Sequence, residues 1–469
     1  MTRTRFLGLL TGLALLALTF VSPPPAGMAP PAWHVAGLTA LMAAWWMTEA
    51  VPLTVTSFMP FVLLPALGVM DADDTAAAYW SPILFLFVGG SMLALAVERT
   101  GLHRRIAAAI VRRAPPTNAG LLAAFMLATA AISGFASNTA TTLVMLPMAT
   151  AALAAGQVGA FSEGDRFGGT LAMGVAFSAT IGGFATLVGS PTNGIAAALT
   201  ERTTGAEISF LTWASYGVPL VLLALPVAWA LLCRLGGLAS PGFDAHAARA
   251  ALHGGEPMSA GEARVATIFA AVAAGWILLP ILGGEAVTTR VGDGTIALVG
   301  AALLFIIPDG TGRALLTWDE ADRTPWGVIL MFGGGLALAA GIGESGLARW
   351  LGAAFEPLRG MSPVLLALFL ALAIIVLTEF ASNVASASAA MPVVGGVILA
   401  TGIDPLLLAM PAAIAASWGF MMPAGTGPNA LAWSTGRIRL PVMLRTGFAL
   451  DVVGAPLIVA VVWAVSTFR

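Results

Sequence analysis

The tetrapeptide Phe-Ala-Ser-Asn occurs twice, as Phe135-Ala136-Ser137-Asn138 and as Phe380-Ala381-Ser382-Asn383. Both copies lie inside long apolar runs, where a Ser or Asn side chain must find a partner. A second polar interruption follows each, Gly189-Ser190-Pro191-Thr192-Asn193 and Gly425-Thr426-Gly427-Pro428-Asn429. Ser, Thr and Asn offer neutral oxygens, glycine frees backbone carbonyls, and proline stops a helix. Such oxygens are ligands for a hard cation, and the free N–H groups at a helix N-terminus favour an anion. Two tips and two breaks in matching order therefore suit two cation sites with one anion site between them. One isolated Ser-Asn pair would read as helix-packing polarity; the repetition selects the site reading. No Arg lies within either tip, so a carboxylate held there meets neutral donors and bound cations.

Composition defines the elements that must hold these groups. The chain has 469 residues, 58% hydrophobic and 9% charged, with a mean hydropathy of +0.92; a soluble domain carries about 25% charge. Apolar runs of about 20 residues cross a hydrocarbon core as helices, so the expected fold is an all-α polytopic membrane protein embedded in a lipid bilayer. The net charge of −2 argues against a nucleic-acid partner, and because all 21 basic residues are Arg there is no Walker A lysine. The lone Cys233 leaves no intrachain disulfide. Arg3 and Arg5 precede an apolar run from Phe6 to Val21, read as a retained transmembrane helix because PPPAGMAPP offers no clear signal-cleavage site. Segments 118–155 and 362–400 are too long for one crossing and are interrupted at their polar tips. Two short helices meeting at such a tip make a re-entrant hairpin, which must be buried in protein or line an aqueous cavity. Segments 168–200 and 404–436 read as helices broken by the Gly/Pro loops.

The tips belong to a longer duplication. At a shift of 245 residues Phe87–Leu102 lies on Phe332–Leu347 with 7 of 16 positions identical, and Ser133 falls on Thr378. The expected organisation is an N-terminal helix over 1–32, a first repeat over 33–235 (tip 137–139, loop 189–193), a cytoplasmic linker over 236–264, and a second repeat over 265–469 (tip 382–384, loop 425–429). Five crossings and one hairpin per repeat, plus the first helix, give about 11 crossings, and an odd number per repeat inverts one against the other. Charge agrees. Arg104, Arg105, Arg112 and Arg113 follow the first copy, whereas the second has only Arg349 and Arg359 with Glu356. Basic residues prefer the cytoplasm, which puts the first segment inside and its copy outside, both as short amphipathic surface helices. The N-terminus is then cytoplasmic and the C-terminus outside.

The Ser-Asn-Thr-type tips, the [Ser/Thr]-Pro-x-Asn-type loops and the stretch WWMTEAVPL from Trp45 to Leu53 together resemble the divalent anion:sodium symporter family, the INDY-type di- and tricarboxylate transporters. The likeness spans nearly the whole chain. It implies a homodimer in the inner (plasma) membrane, each protomer with a scaffold domain and a moving transport domain. Sodium ligands implied by the resemblance are Ser133, Ser137, Asn138 and Gly189 in the first half, and Thr378, Ala381, Asn383 and Gly425 in the second. The substrate would meet Ser137, Asn138, Thr139, Ser382, Asn383 and Val384, with Ser190 and Thr426 nearby. Val384 stands where many members have Thr, and Thr192 and Gly427 replace prolines of the commoner loop, which bears on the local backbone and its ligand set.

The expected function is alternating-access, elevator-type symport of a small divalent anion with sodium as the co-transported ion and no organic cofactor. C4-dicarboxylates such as succinate, malate or fumarate are the first choice on family grounds. A sodium-independent exchanger, or a citrate or sulfate transporter of the same fold, is the alternative. A dianion moving with two sodium ions is neutral, and a third makes transport voltage-sensitive by about 2.3 kcal/mol per charge per 100 mV. An enzyme is not expected. Gly343–Gly346 reads GESG, as in rhomboid-type proteases, but no His follows His253 to act as base, and there is no His-Glu-x-x-His. His34, His103, His246 and His253 fall at segment ends or in polar loops and make no metal site. Glu49 and Glu379 read first as structural carboxylates and second as proton carriers; Asp451 receives no assignment.

Overall fold

The computed structural model describes residues 2–157, 166–240, 243–250, 257–283 and 290–468. Regular structure among them is helical, apart from two isolated bridges. Nine of the described helices are long and apolar enough to cross a membrane, and shorter apolar ones include Asn118–Ser133, Phe167–Gly183 and Pro405–Ala415. Their outer faces carry exposed residues such as Leu222, Leu282 and Phe369, as a surface in contact with lipid requires. The apolar segment 53–70 is not one helix. It divides into Leu53–Thr56 and Met59–Ala66, because Pro60 starts a new helix. The first helix, Arg3–Val21, packs along Pro30–Thr48. Glu49 caps the end of the latter in a left-handed conformation and pairs with Arg5 at 3.1 Å while about half exposed. It is therefore a surface carboxylate and not a buried proton carrier.

Charge gathers at one end of the bundle. Arg99, at the end of Pro82–Thr100, pairs with Asp309 at 2.7 Å and Glu320 at 3.1 Å, and Glu320 also pairs with Arg313. The Thr311 hydroxyl, then Arg99, holds the Asp309 carboxyl well below the usual carboxylate range. The two charge-contrasted segments are both short helices, Leu102–Val111 and Leu347–Ala354.

The polar elements interlock at the centre. Asn138–Gly156, the second arm of the first hairpin, packs on Gly427–Ser434, and Pro191–Thr204 packs on Asn383–Thr401. Each short helix that follows a break thus lies against the other half's hairpin. Phe184 and Trp418, one from each unwound segment, stack with ring centroids 5.4 Å apart, an offset arrangement that locks the two breaks together.

Candidate functional site

The first hairpin turns through 134–137, between Asn118–Ser133 and Asn138–Gly156. The second turns more tightly through 381–382, between Pro363–Phe380 and Asn383–Thr401. In both, the tip serine is the N-cap and the asparagine opens the second arm. The breaks lie earlier than the loops 189–193 and 425–429 suggest. The chain unwinds over 184–190 and 416–426, and residues 191–193 and 427–429 already form the next helix. Pro191 and Pro428 sit in its first turn, where a missing N–H costs nothing.

Around the first tip, Ser133 Oγ donates to Ala179 O at 2.6 Å and lies 2.8 Å from Asn138 Oδ1. Asn138 Oδ1 also faces Ala179 O at 3.1 Å and Gly189 O at 3.2 Å. Four oxygens from the hairpin, the broken helix and the unwound segment therefore converge. Turning the amide would put its NH2 group among the same oxygens, so the position suits a donor or a cation, and lone pairs alone would repel. Gly183 makes the approach possible, since a Cβ there would strike the Asn138 amide. Thr186 Oγ1 donates to Gly134 O, tying the unwound segment to the tip. The Asn193 amide donates to Gly183 O at 2.7 Å and Thr186 O at 2.8 Å, closing that segment on itself.

The second tip repeats the plan. Thr378 Oγ1 donates to Ala416 O at 2.7 Å and lies 3.0 Å from Asn383 Oδ1. The Asn429 amide donates to Met422 O at 3.2 Å and Gly419 O at 3.4 Å. Hairpin atoms correspond at a shift of 245 residues and the brace atoms of the breaks at a shift of 236, with the Ala416 carbonyl one residue further on, at 237 from Ala179. Ala381 lies in the tip, and Gly425 lies against Met422 O and Glu379. Glu379 is buried, and its two oxygens accept from the Met421 and Met422 N–H groups, both at 2.9 Å. Each of its oxygens thus has one backbone donor.

One cavity of about 780 Å³ separates the tips. All eight residues expected to meet the substrate line it: Ser137, Asn138, Thr139, Ser190, Ser382, Asn383, Val384 and Thr426. Gly425 also does, whereas Ser133, Gly189, Thr378 and Ala381 stand behind the wall, with Ser133 and Thr378 wholly buried. The inner end presents hydroxyls, amides and the N-termini of four helices, a setting for an anion. Gly427 brings the second break against Thr139; a Cβ there would collide with its hydroxyl. The outer end carries Glu98, His103 and Arg323, with Arg323 and Glu98 3.9 Å apart. His103 is buried, which pushes its imidazole below the usual pKa and favours the neutral form.

Sequence reasoning missed the carbonyls of Ala179 and Ala416, the tie from Thr186, and the bracing by Asn193 and Asn429. Only the two asparagines carried a signal, as the last residues of the quoted loops.

The profile of the sodium:sulfate symporter transmembrane region matches residues 3–467. A sodium-dependent dicarboxylate transporter SdcS of Staphylococcus saprophyticus is 35% identical over 98% of this chain and 91% of its own. An SdcS of Staphylococcus aureus is 36% identical with the same coverage. In fold, the chain is similar to the Alcanivorax borkumensis YdaH transporter, with a TM-score of 0.56 at 15% identity over 100% of this chain and 98% of that one. It is also similar to Neisseria gonorrhoeae MtrF, with a TM-score of 0.61 at 10% identity over 98% and 94%. From the paired tips to the full-length match, the chain belongs to the sodium:sulfate symporter transmembrane family.

Proposed function

We propose that the protein is a sodium-coupled symporter of C4-dicarboxylates. The observation that carries this reading is the convergence of the Ser133, Ala179 and Gly189 oxygens on the Asn138 amide. A hard cation of about sodium's size takes oxygens at about 2.3–2.6 Å, and ligand oxygens roughly 3 Å apart are the edges of such a shell. Thr378, Asn383 and Ala416 offer the matching set. The relatives named as sodium-dependent dicarboxylate transporters support both the ion and the substrate class.

Sodium at each set neutralises the oxygens behind the cavity wall and orders the tips. The dianion then bridges them, with the Ser137, Thr139 and Ser382 hydroxyls and the helix N-termini as donors. Linkage makes each ligand raise the other's affinity by one factor. The two repeats and the linker at 236–264 form a scaffold and a transport domain, paired in a homodimer in the plasma membrane, and the transport domain moves as an elevator. The Arg-rich helix Leu102–Val111 lies beside the cavity's outer end, so the positive-inside rule makes that end cytoplasmic and the state inward-facing.

The test is uptake of labelled succinate into proteoliposomes, with inward sodium compared with potassium of equal ionic strength. Uptake should require sodium. Sodium-free exchange of internal for external succinate at the same rate would overturn the reading in favour of an exchanger.

A further inference from the structure

Behind the second tip lies a pair of carboxyl groups whose counterparts in the first half are not acidic. Asp451, on Leu440–Ser466, is 6% exposed and lies against Glu379, which is 5% exposed. Glu379 is held by the Met421 and Met422 N–H groups. Asp451 has no such support: it approaches the Phe420 backbone and the Glu379 carboxylate, yet neither of its oxygens has a hydrogen bond of ordinary geometry. Among the described residues no arginine or histidine pairs with either group. The Ser417 and Thr446 hydroxyls, on the two segments that meet here, are also wholly buried and unpartnered.

The repeat shows that the pair is an addition to the shared plan. Glu379 corresponds to Gly134 at the hairpin shift of 245 residues. Gly447 packs on Phe420 O as Gly217 packs on Phe184 O, a shift of 230 that brings Asp451 onto Val221. The first half thus has Gly and Val where the second has two facing carboxyls. Two buried like charges repel and both lose hydration, so a pair of this kind takes up either a shared proton or a cation. Ionisable groups at such depth mark ion pathways more often than they serve packing.

We infer that Glu379 and Asp451 form a third cation site, which takes a sodium ion with each transport cycle. The Asp451 oxygens and the lone pairs of Glu379 not used by the loop are its ligands. The inference rests on the sodium-coupled reading above. It makes the cycle electrogenic, because three sodium ions carry one net positive charge inward with a dianion.

The experiment is succinate-evoked current together with labelled uptake in proteoliposomes, for wild type, Asp451→Asn and Asp451→Val. Wild type should carry one positive charge per succinate. Both variants should keep sodium-dependent uptake, steepen less with sodium, and lose the current. Sodium-dependent but electroneutral uptake in wild type overturns the third site and leaves the symporter reading standing; this arm decides even where the variants fail to fold. Unchanged charge per succinate in a folded variant overturns it too. So does a wild-type reversal potential that follows the pH gradient, which would identify a proton as the occupant. Uptake that ignores sodium altogether overturns both readings.

Discussion

The two half-sites gather the same kinds of oxygen and pin their unwound segments in opposite ways. In the first, the helix stops at Ser133, so the Gly134 carbonyl needs a donor, and the Thr186 hydroxyl supplies it. In the second, the helix runs on to Phe380, which sets Glu379 where its carboxylate accepts from the loop N–H groups of Met421 and Met422. One break is tied by a neutral donor and the other by an anionic acceptor. A charge-assisted pair of hydrogen bonds is the stronger tie, about twice a neutral one per bond, and it sets a buried carboxyl behind the second tip. The first half-site is also the tighter of the two at the asparagine brace, 2.7 and 2.8 Å against 3.2 and 3.4 Å. The comparison teaches that the second half-site is the one built to interact with additional positive charge, and the first the one with less room to adjust.

The sharpest way to break the comparison is to ask whether the halves are inverted at all. In a Cys233→Ser background, Arg104→Cys and Ala353→Cys should react with an impermeant thiol reagent from opposite sides of the membrane, an all-or-none result. Labelling from one side would end the inverted arrangement. Next in size is the tolerance of the two helix ends. Gly183→Ala drives a Cβ into the Asn138 amide, whereas Gly419→Ala meets the Thr378 methyl at 3.3 Å, which needs only a slight shift. Sodium-driven uptake should be nearly lost in Gly183→Ala and fall by at most several-fold in Gly419→Ala. Equal losses would mean that the first tip is no less adaptable than the second.

Removing the ligand oxygens themselves should have a somewhat smaller effect. Asn138→Ala and Asn383→Ala each delete an oxygen expected to touch sodium. A lost bond to a charged group costs about 1.5–3 kcal/mol, so the sodium concentration for half-maximal uptake should rise about tenfold or more in each. Unchanged sodium activation in a folded variant would remove that asparagine from the ion site. The braces predict a stability difference. Asn193→Ala leaves two buried carbonyls without their donor and should lower thermal stability by about 1–3 kcal/mol, more than Asn429→Ala with its longer bonds. A thermal melt of the purified protein checks the order, and the reverse order would contradict the tighter first brace. The smallest effect concerns the positions Thr139 and Val384, which correspond at the hairpin shift. Val384→Thr adds a hydroxyl facing the cavity, worth about 0.5–1.5 kcal/mol if the anion reaches it, or at most about tenfold in affinity, and Ser137→Ala should move affinity the other way. Competition among dicarboxylates, citrate and sulfate measures both; identical rankings and affinities throughout would show that the anion does not lie between the tips.

Much of this site was legible because charged and amide side chains are rare in such a sequence and the polar interruptions come in matching order. Ser137, Asn138, Ser382 and Asn383 stand out against apolar flanks, and all four line the cavity. The Gly/Pro loops lie too far along the chain to mark the unwound residues, because Pro191 and Pro428 sit in the first turns of the following helices. The stretch 53–70 is apolar apart from Thr54, Thr56 and Ser57, so its hydropathy does not show that Pro60 divides its backbone.

Side-chain type and spacing alone place the chain in a bilayer, put its polar chemistry in two matched sets, and fill both tips with neutral oxygens, not arginines. These are properties of side-chain type and spacing, which hydrophobicity and helix-breaking residues print directly on the chain. Only the tertiary structure decided which oxygens converge. The Ala179 and Ala416 carbonyls have no side-chain signature, since every residue carries the same C=O and only a fold can aim one at a neighbour. Asp451 and Glu379 lie on separate helices, and nothing local marks them as partners. Their meeting depends on how Leu440–Ser466 packs across the second break, a contact that depends on shape and burial and that periodicity does not record.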